Sequence, residues 1–243
     1  MMYSYYMNEL IFLDTETTGN DLMKDRLSQV CYKTTEGFFT GYFKPPIPMS
    51  IKAMSITNIT NKMLHNKERF GDSIMKKNLE QLLSEKILVA HNAKFDCAML
   101  EAEGLSVPRR ICTLRVARYL DPDNLIPEYN LSYLRYYFDI DVEANAHDAE
   151  GDVIVLCAIF DRLFAKMKAE IKSDKDIIAK MIDISSRPTL FKLFSFGKYK
   201  DKKIEEVAKS DRRYLEWMLN QKLDSGTEEE DWIHTLKYYL NNN

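Results

Sequence analysis

A short apolar strand that ends in two acids constrains this chain more than any other feature. Four apolar residues, Leu10 to Leu13, run directly into Asp14 and Glu16. Residues two apart in a strand point to the same side, with backbones roughly 6–7 Å apart. Two carboxylates held this way repel each other unless a cation lies between them, and oxygen ligands suit magnesium, calcium or manganese. Such acid pairs also occur on solvated surfaces, so the interpretation depends on partners elsewhere.

Composition bounds the fold and the setting. The chain has 243 residues and is 45% hydrophobic, enough for one large domain or one domain with a small appendage. It contains no run of about 18 apolar residues, and its start lacks a basic segment, so we predict neither a membrane span nor a signal peptide. The four cysteines show no paired spacing, which disfavours zinc and predicts reduced thiols in a cytoplasmic protein.

The order of apolar segments predicts an α/β domain. Segments 27–33 and 37–43 are typical of strands that would form an antiparallel meander with the first strand. A buried strand follows within 86–90, a short one near Ile111, and a long amphipathic helix begins near Asp148. We predict a domain over residues 1–167, a connector with a short helix over 168–186, and a small C-terminal module over 187–243.

Two later stretches supply partners for the first acid pair. Asp96 comes just after the strand "ILVA", and Asp152 lies on the first turns of the long helix, five residues after His147. Ligands of α/β sheets gather at strand ends and nearby helix starts. Four carboxylates in one pocket need cations, and two magnesium ions would make a phosphoryl-transfer site of it. His147, with an unperturbed pKa near 6.5, suits a general base.

Three ordered motifs then resemble a known family. "IFLDTETTG" with Asp14 and Glu16, "HNAKFD" at 91–96 and "HDAEGD" at 147–152 are similar to the three motifs of DEDDh, or DnaQ-like, 3′→5′ exonucleases. The resemblance covers roughly residues 9–165. Residues 187–219 resemble the C-terminal module of exonuclease X-like proteins. The resemblance implies a ribonuclease H-like mixed five-stranded sheet flanked by helices.

The resemblance also implies roles for individual residues. Asp14, Glu16 and Asp152 would bind metal directly, Asp96 would reach it through water, and His147 would deprotonate the attacking water. The family's cofactor is two Mg²⁺, for which Mn²⁺ substitutes. Further residues are expected to contact the terminal nucleotide, namely Thr15, Thr17, Met54, Ile56, His91 and Asn92. For Met54 and Ile56, core packing is an equal alternative.

Two features do not follow from the catalytic motifs. Many relatives have I-H-G-I-T where this chain has "ITNIT", so Thr57 and Asn58 replace His and Gly. We expect this difference to affect how the substrate is bound or which substrate is preferred. Residues 187–222 hold ten Lys and Arg against five Asp and Glu, a net charge of +5 in a chain of net charge −3. This segment either binds nucleic acid or forms a small core whose lysines are its solvated rim.

The expected function is metal-dependent 3′→5′ hydrolysis of DNA, releasing nucleoside 5′-monophosphates in DNA repair or end processing. Single- or double-stranded DNA 3′ ends are the expected partners, with no membrane involved. The first alternative is the same chemistry on RNA, because the motifs do not define the sugar. The second is a non-catalytic nucleic-acid-binding protein, which the presence of all five catalytic residues disfavours.

Overall fold

The computed structural model describes residues 7–143, 148–224 and 229–242. The chain forms two compact units. The first comprises the described parts of Met1–Leu120 and Glu128–Ser185, and the second comprises Asp121–Pro127 with the described parts of Ser186–Asn243.

A five-stranded mixed sheet forms the centre of the first unit. Its strands are β1 Leu10–Thr17, β2 Leu27–Thr34, β3 Gly37–Tyr42, β4 Ile87–Ala90 and β5 Arg110–Cys112, in the order β3-β2-β1-β4-β5. β1 pairs antiparallel with β2 and parallel with β4, and β2 pairs antiparallel with β3. The predicted meander and five-stranded mixed sheet are confirmed.

Helices follow the strands in the order expected for an α/β chain. In the first unit they are α1 Ile51–Thr57, α2 Asn61–Leu64, α3 Ile74–Glu85, α4 Ala93–Ala102, α5 Thr113–Tyr119, α6 Leu131–Tyr137, α7 Ala149–Lys168 and α8 Asp174–Ser186. A 3₁₀ turn spans Phe70–Asp72. In the second unit they are α9 Ile204–Ser210, α10 Arg212–Asp224 and α11 Glu230–Asn241.

The central strand is buried on both faces, which explains its unbroken apolar run. Leu10 to Leu13 are at most 1% exposed. One face receives α7, where the Phe12 and Phe160 rings meet edge-to-face with centroids 5.3 Å apart. Because the apolar part of β1 anchors the strand in this core, the part that carries Asp14 and Glu16 is held rigidly.

The segment expected to be a connector contains a helix of 13 residues, α8. Its residues Ile177, Ile178 and Met181 are buried. The Ser185 hydroxyl accepts a hydrogen bond of 2.7 Å from the backbone N–H of Cys112 at the end of β5. This helix is therefore packed within the first unit up to Ser185. The domain division at 167 and 187 stays a proposal.

The second unit has its own apolar core, built around Phe194, Leu215, Met218 and Leu236, each at most 2% exposed. The indole of Trp232 stacks on the Phe194 ring with centroids 5.9 Å apart. Two aromatic side chains of this unit remain exposed: Phe196 is 40% and Trp217 is 56% exposed. The unit therefore has both an apolar core and exposed aromatic residues.

Among the residues described, no helix combines the length and the apolar character needed to cross a bilayer.

Candidate active site

Three carboxylates meet where β1 ends. Carboxylate oxygens of Asp14, Glu16 and Asp152 lie within 4.8 Å of one another, and each side chain is half-buried. Asp14 and Glu16 point the same way because they are two apart in the strand. Asp152 is brought to them by the first turn of α7, where its N–H donates to the Asp148 carbonyl over 2.9 Å. The two-residue period of β1 and the first turn of α7 thus bring the three carboxylates together.

Asp96 stands next to this cluster and is buried at 3% exposure. It lies in the first turn of α4, and its Oδ1 accepts a hydrogen bond of 2.8 Å from the Thr15 hydroxyl. Thr15, between the two acids of β1, therefore holds the fourth carboxylate in place. Asp96 is outside the set of three that could share one ion, so its predicted contact through water stays a prediction.

The carboxylates strongly disfavour one another's charge. Burial, and then the charges of Asp96, Asp152, Glu16 and Asp148, hold the pKa of Asp14 well above its usual range. Burial followed by Asp152 raises the pKa of Glu16 to about 8. Burial raises the pKa of Asp96 to about 7, although the Thr15 hydrogen bond opposes the shift. Within the described residues, the side-chain charges that shift the pKa values of Asp14 and Glu16 all belong to other acids.

This imbalance fits divalent cations. Closely spaced carboxylate oxygens are the ligands that Mg²⁺, Ca²⁺ and Mn²⁺ prefer, and a cation among them would reverse the pKa shifts that burial and repulsion produce. Within the described part of the chain, Asp14, Glu16 and Asp152 could share one ion. The cluster therefore supports the use of divalent metal.

The predicted base, His147, lies outside the described residues. Asp148, the next residue, occupies the N-cap position of α7, yet its side chain does not cap its own helix. Its Oδ1 instead accepts a hydrogen bond of 2.9 Å from the side-chain amide of Gln29 on β2. Sequence reasoning missed Gln29, because a lone glutamine in a strand belongs to none of the motifs.

The two residues predicted from the second motif are placed differently from each other. His91 is held by its ring nitrogens, with Nδ1 2.9 Å from the Thr113 hydroxyl and Nε2 2.7 Å from the Tyr129 carbonyl. Burial lowers the pKa of His91 to about 4, so the ring is neutral at pH 7. Asn92 is exposed and takes the left-handed conformation at φ 60° as the N-cap of α4. Their contacts with a nucleotide stay predictions.

The remaining predicted substrate residues divide between surface and interior. The hydroxyl of Thr17, which is 5% exposed, donates to the Gly19 carbonyl over 2.5 Å. Met54 is partly buried against the cluster of Met49, Ala53, Ile59 and Leu64, whereas Ile56 is 39% exposed. Ile56 is thus available for an apolar contact, and Met54 takes part in packing. For Thr15, Thr17, Met54 and Ile56, contact with substrate stays a prediction.

The departure at Thr57 and Asn58 has a structural explanation. Asn58 ends α1 in the left-handed conformation, with φ 59°, and donates its N–H to the Met54 carbonyl. Asn is the residue that most readily replaces Gly at this position. The buried Thr57 hydroxyl donates to the Ala53 carbonyl over 3.0 Å and accepts from the Ile59 N–H over 3.1 Å. The helix end is therefore preserved, while a ring donor at position 57 is lost.

A ribonuclease H-like sheet with carboxylates gathered at the end of its central strand defines a nuclease-type metal site. Sequence comparison agrees with this class. The profile of the family described as "Exonuclease" matches residues 11–160, and the profile described as "Exodeoxyribonuclease X-like C-terminal" matches residues 194–222. The chain belongs to the exonuclease family, and its resemblance to the exonuclease X-like subgroup is confirmed.

Individual relatives are consistent with that membership. Exodeoxyribonuclease 10 of Escherichia coli (strain K12) is 33% identical over 203 residues, covering 82% of this chain and 83% of that protein. The structure described as "Exonuclease X in complex with 5′ overhanging duplex DNA" matches with a TM-score of 0.57 and 24% identity, over 72% of this chain and 99% of that one. E. coli Exonuclease I in complex with a dT13 oligonucleotide matches with a TM-score of 0.54 and 21% identity, over 66% and 41%. The two solved structures share the fold.

Proposed function

We propose that this protein is a metal-dependent 3′→5′ exodeoxyribonuclease that releases nucleoside 5′-monophosphates from DNA 3′ ends. The observation that carries the proposal is the carboxylate cluster of Asp14, Glu16 and Asp152. It lies in a chain that is 33% identical to a protein named Exodeoxyribonuclease 10. Single- and double-stranded ends are both substrates in this proposal, and DNA repair or end processing in the cytoplasm is its setting.

Hydrolysis at the end of a strand joins a water oxygen to phosphorus and breaks the bond from phosphorus to the 3′-oxygen of the preceding nucleotide. His147 takes one proton from the water, and the departing 3′-oxygen gains a proton. Two bound Mg²⁺, or Mn²⁺, would neutralise the phosphate and stabilise the negative charge of the transition state. Asp14, Glu16 and Asp152 would hold them, and Asp96 would fix their surroundings.

The rigid anchoring of these residues carries much of the proposed catalysis. Asp14 and Glu16 end a strand whose preceding residues are fully packed, and Asp96 is restrained by Thr15. Catalytic groups that are already in position lose little freedom when substrate binds. The strand end thus presents its carboxylates to a phosphodiester in one fixed arrangement.

The substrate test offers the purified protein DNA and RNA of matched sequence, single- and double-stranded, each labelled at the 5′ end. With Mg²⁺ we expect DNA to shorten in steps of one nucleotide from its 3′ end, and we expect no cleavage in excess EDTA. Equal cleavage in EDTA, or internal cuts, would contradict the proposal. Faster shortening of RNA would favour the ribonuclease alternative, in which a contact to the 2′-hydroxyl identifies the sugar.

The second unit contributes a nucleic-acid-binding surface in this proposal. We define the module surface as Phe196, Trp217, Lys200, Lys202 and Arg213, all of them exposed. Several other cations of the unit are paired, as in Lys198 with Asp211 at 3.1 Å and Lys209 with Glu205 at 2.6 Å. The three cations of the module surface form no ion pair within the described part of the chain. Arg213 and Trp217 are four residues apart on α10 and so are neighbours on its surface. An exposed aromatic beside an unpaired cation is typical of single-strand binding.

Substitutions in the full-length protein test the module surface. Trp217→Ser combined with Arg213→Gln should weaken binding of a long single strand, because stacking contributes about 1–3 kcal/mol per base. Each lost cation should also reduce the salt dependence of binding by about 0.7 in log–log slope. Cleavage of a four-nucleotide substrate should stay unchanged.

The matched control is Tyr238→Ser with Lys237→Gln, which changes an exposed aromatic and an exposed cation on α11. If the two double variants bound the long single strand with the same affinity across a salt titration, the second unit would have a structural or protein-docking role instead.

A further inference from the structure

Gln29 is a buried amide among acids. It is 1% exposed and lies opposite Glu16 in the pairing of β1 with β2. Opposite residues of neighbouring strands direct their side chains to the same face of a sheet. Gln29 therefore faces the side of the sheet that carries the carboxylates, where a neutral group adds no further repulsion.

The nitrogen and the oxygen of the Gln29 side-chain amide both form hydrogen bonds at the start of α7. Its nitrogen donates to Asp148 Oδ1 over 2.9 Å, and its oxygen accepts from the Ala149 N–H over 3.4 Å. The first N–H groups of a helix have no partner within the helix, and an Asp at the N-cap would usually supply one. The Asp148 side chain does not do so here. Gln29 supplies that partner from a neighbouring strand instead.

We propose that Gln29 is a positioning residue, which fixes the first turn of α7 through Asp148 and Ala149 and thereby sets Asp152 against Asp14 and Glu16. The geometry gives a direct route, because Asp152 donates its N–H to the carbonyl of Asp148, the residue that Gln29 holds. The inference rests on the proposed function, since it concerns the same metal site.

The test measures Mn²⁺ binding by calorimetry, turnover, and melting temperature in EDTA. Gln29→Met keeps the volume but removes both hydrogen bonds. Residues that orient metal ligands typically change affinity or activity by about 10-fold to 100-fold when lost. We expect Gln29→Met to weaken Mn²⁺ binding and lower turnover within that range. The control is Ser28→Ala on the same strand, whose buried hydroxyl has no hydrogen-bond partner in the described residues.

Two further variants separate position from charge. Asp148→Asn keeps an oxygen that accepts from Gln29, whereas Asp148→Ala removes it. Under the proposal Asp148→Ala weakens Mn²⁺ binding as Gln29→Met does, and Asp148→Asn, which loses only the charge, weakens it less. The double variant of Gln29→Met with Asp148→Ala is no worse than either single one. These variants also decide the question should Gln29→Met fail to fold.

Three outcomes would overturn the proposal. The first is that Gln29→Met binds Mn²⁺ as tightly as Ser28→Ala does. The second is that Gln29→Met lowers the melting temperature without changing Mn²⁺ affinity, because Gln29 would then contribute only to packing. Fully additive losses in the double variant are the third. Failure of the wild-type protein to bind Mn²⁺ or to cleave DNA would instead refute the proposed function.

Discussion

Replacing Asp14 by Asn is expected to abolish exonuclease activity while leaving the protein folded. Asp14 is one of three carboxylates that could share one ion, and it is flanked on the sheet by Glu16 and on α7 by Asp152. A metal ion contributes several kcal/mol to transition-state stabilisation, so its loss or displacement should cost about 10³-fold or more in turnover. Initial rates on labelled DNA, over a Mg²⁺ and Mn²⁺ titration, measure the effect.

The same substitution should make the metal-free protein more stable at alkaline pH. The folded-state pKa of Glu16 is raised from 4.5 to about 8, and those of Asp14 and Asp96 are raised as well. Between about pH 4 and pH 8 the folded state then binds more protons than the unfolded state, so the free energy of unfolding falls as pH rises. Each pKa unit corresponds to about 1.4 kcal/mol, which makes the decline a few kcal/mol.

Removing the charge of Asp14 relieves part of that repulsion. In EDTA the melting temperature of wild type should fall from pH 5 to pH 8, and that of Asp14→Asn should fall less. Added Mn²⁺ should stabilise wild type at pH 8 but hardly affect the variant. Glu80→Gln, on the exposed side of α3, serves as the control. Retained activity, or a wild-type melting temperature that rises with pH in EDTA, would contradict this account.

The pairing of Asp14 with Glu16 was predictable because its geometry is local, and the approach of Asp152 was predicted from the placement of sites at strand ends and helix starts and from the family resemblance. The two-residue period of a strand brings Asp14 and Glu16 together, and the start of a helix places Asp152. Each of these positions follows from a short stretch of sequence. The antiparallel pairing of β2 with β3 was predictable for the same reason, since only two residues separate Thr34 from Gly37.

Contacts between distant segments were not predictable in this way. Gln29 and Asp148 are 119 residues apart. Nothing in the sequence around either residue indicates that Gln29 will cap α7 in place of Asp148. The hydrogen bond between Thr15 and Asp96 spans 81 residues. The aromatics of the second unit posed a similar problem, because composition alone could not separate buried Phe194 from exposed Trp217.

Replacing His147 by Ala is the second change with a large expected effect. Its role comes from the resemblance of "HDAEGD" to the third motif of the family, since this residue lies outside those the structure describes. A general base typically contributes about 10²-fold to 10⁴-fold. We therefore expect turnover to fall by that factor at pH 7.5, while Mn²⁺ still raises the melting temperature, because the carboxylates of Asp14, Glu16 and Asp152 are intact.

This pair of readouts distinguishes the base from a metal ligand, since Asp14→Asn should lose both activity and metal-dependent stabilisation. His65→Ala is the matched control, because His65 is exposed and its ring contacts only the neighbouring Asn66 among the contacts described. Added imidazole should restore part of the activity of His147→Ala if the missing step is proton removal from water. Near-normal turnover of His147→Ala at pH 7.5 would mean that another group takes the proton, and the DEDDh mechanism would not hold for this chain.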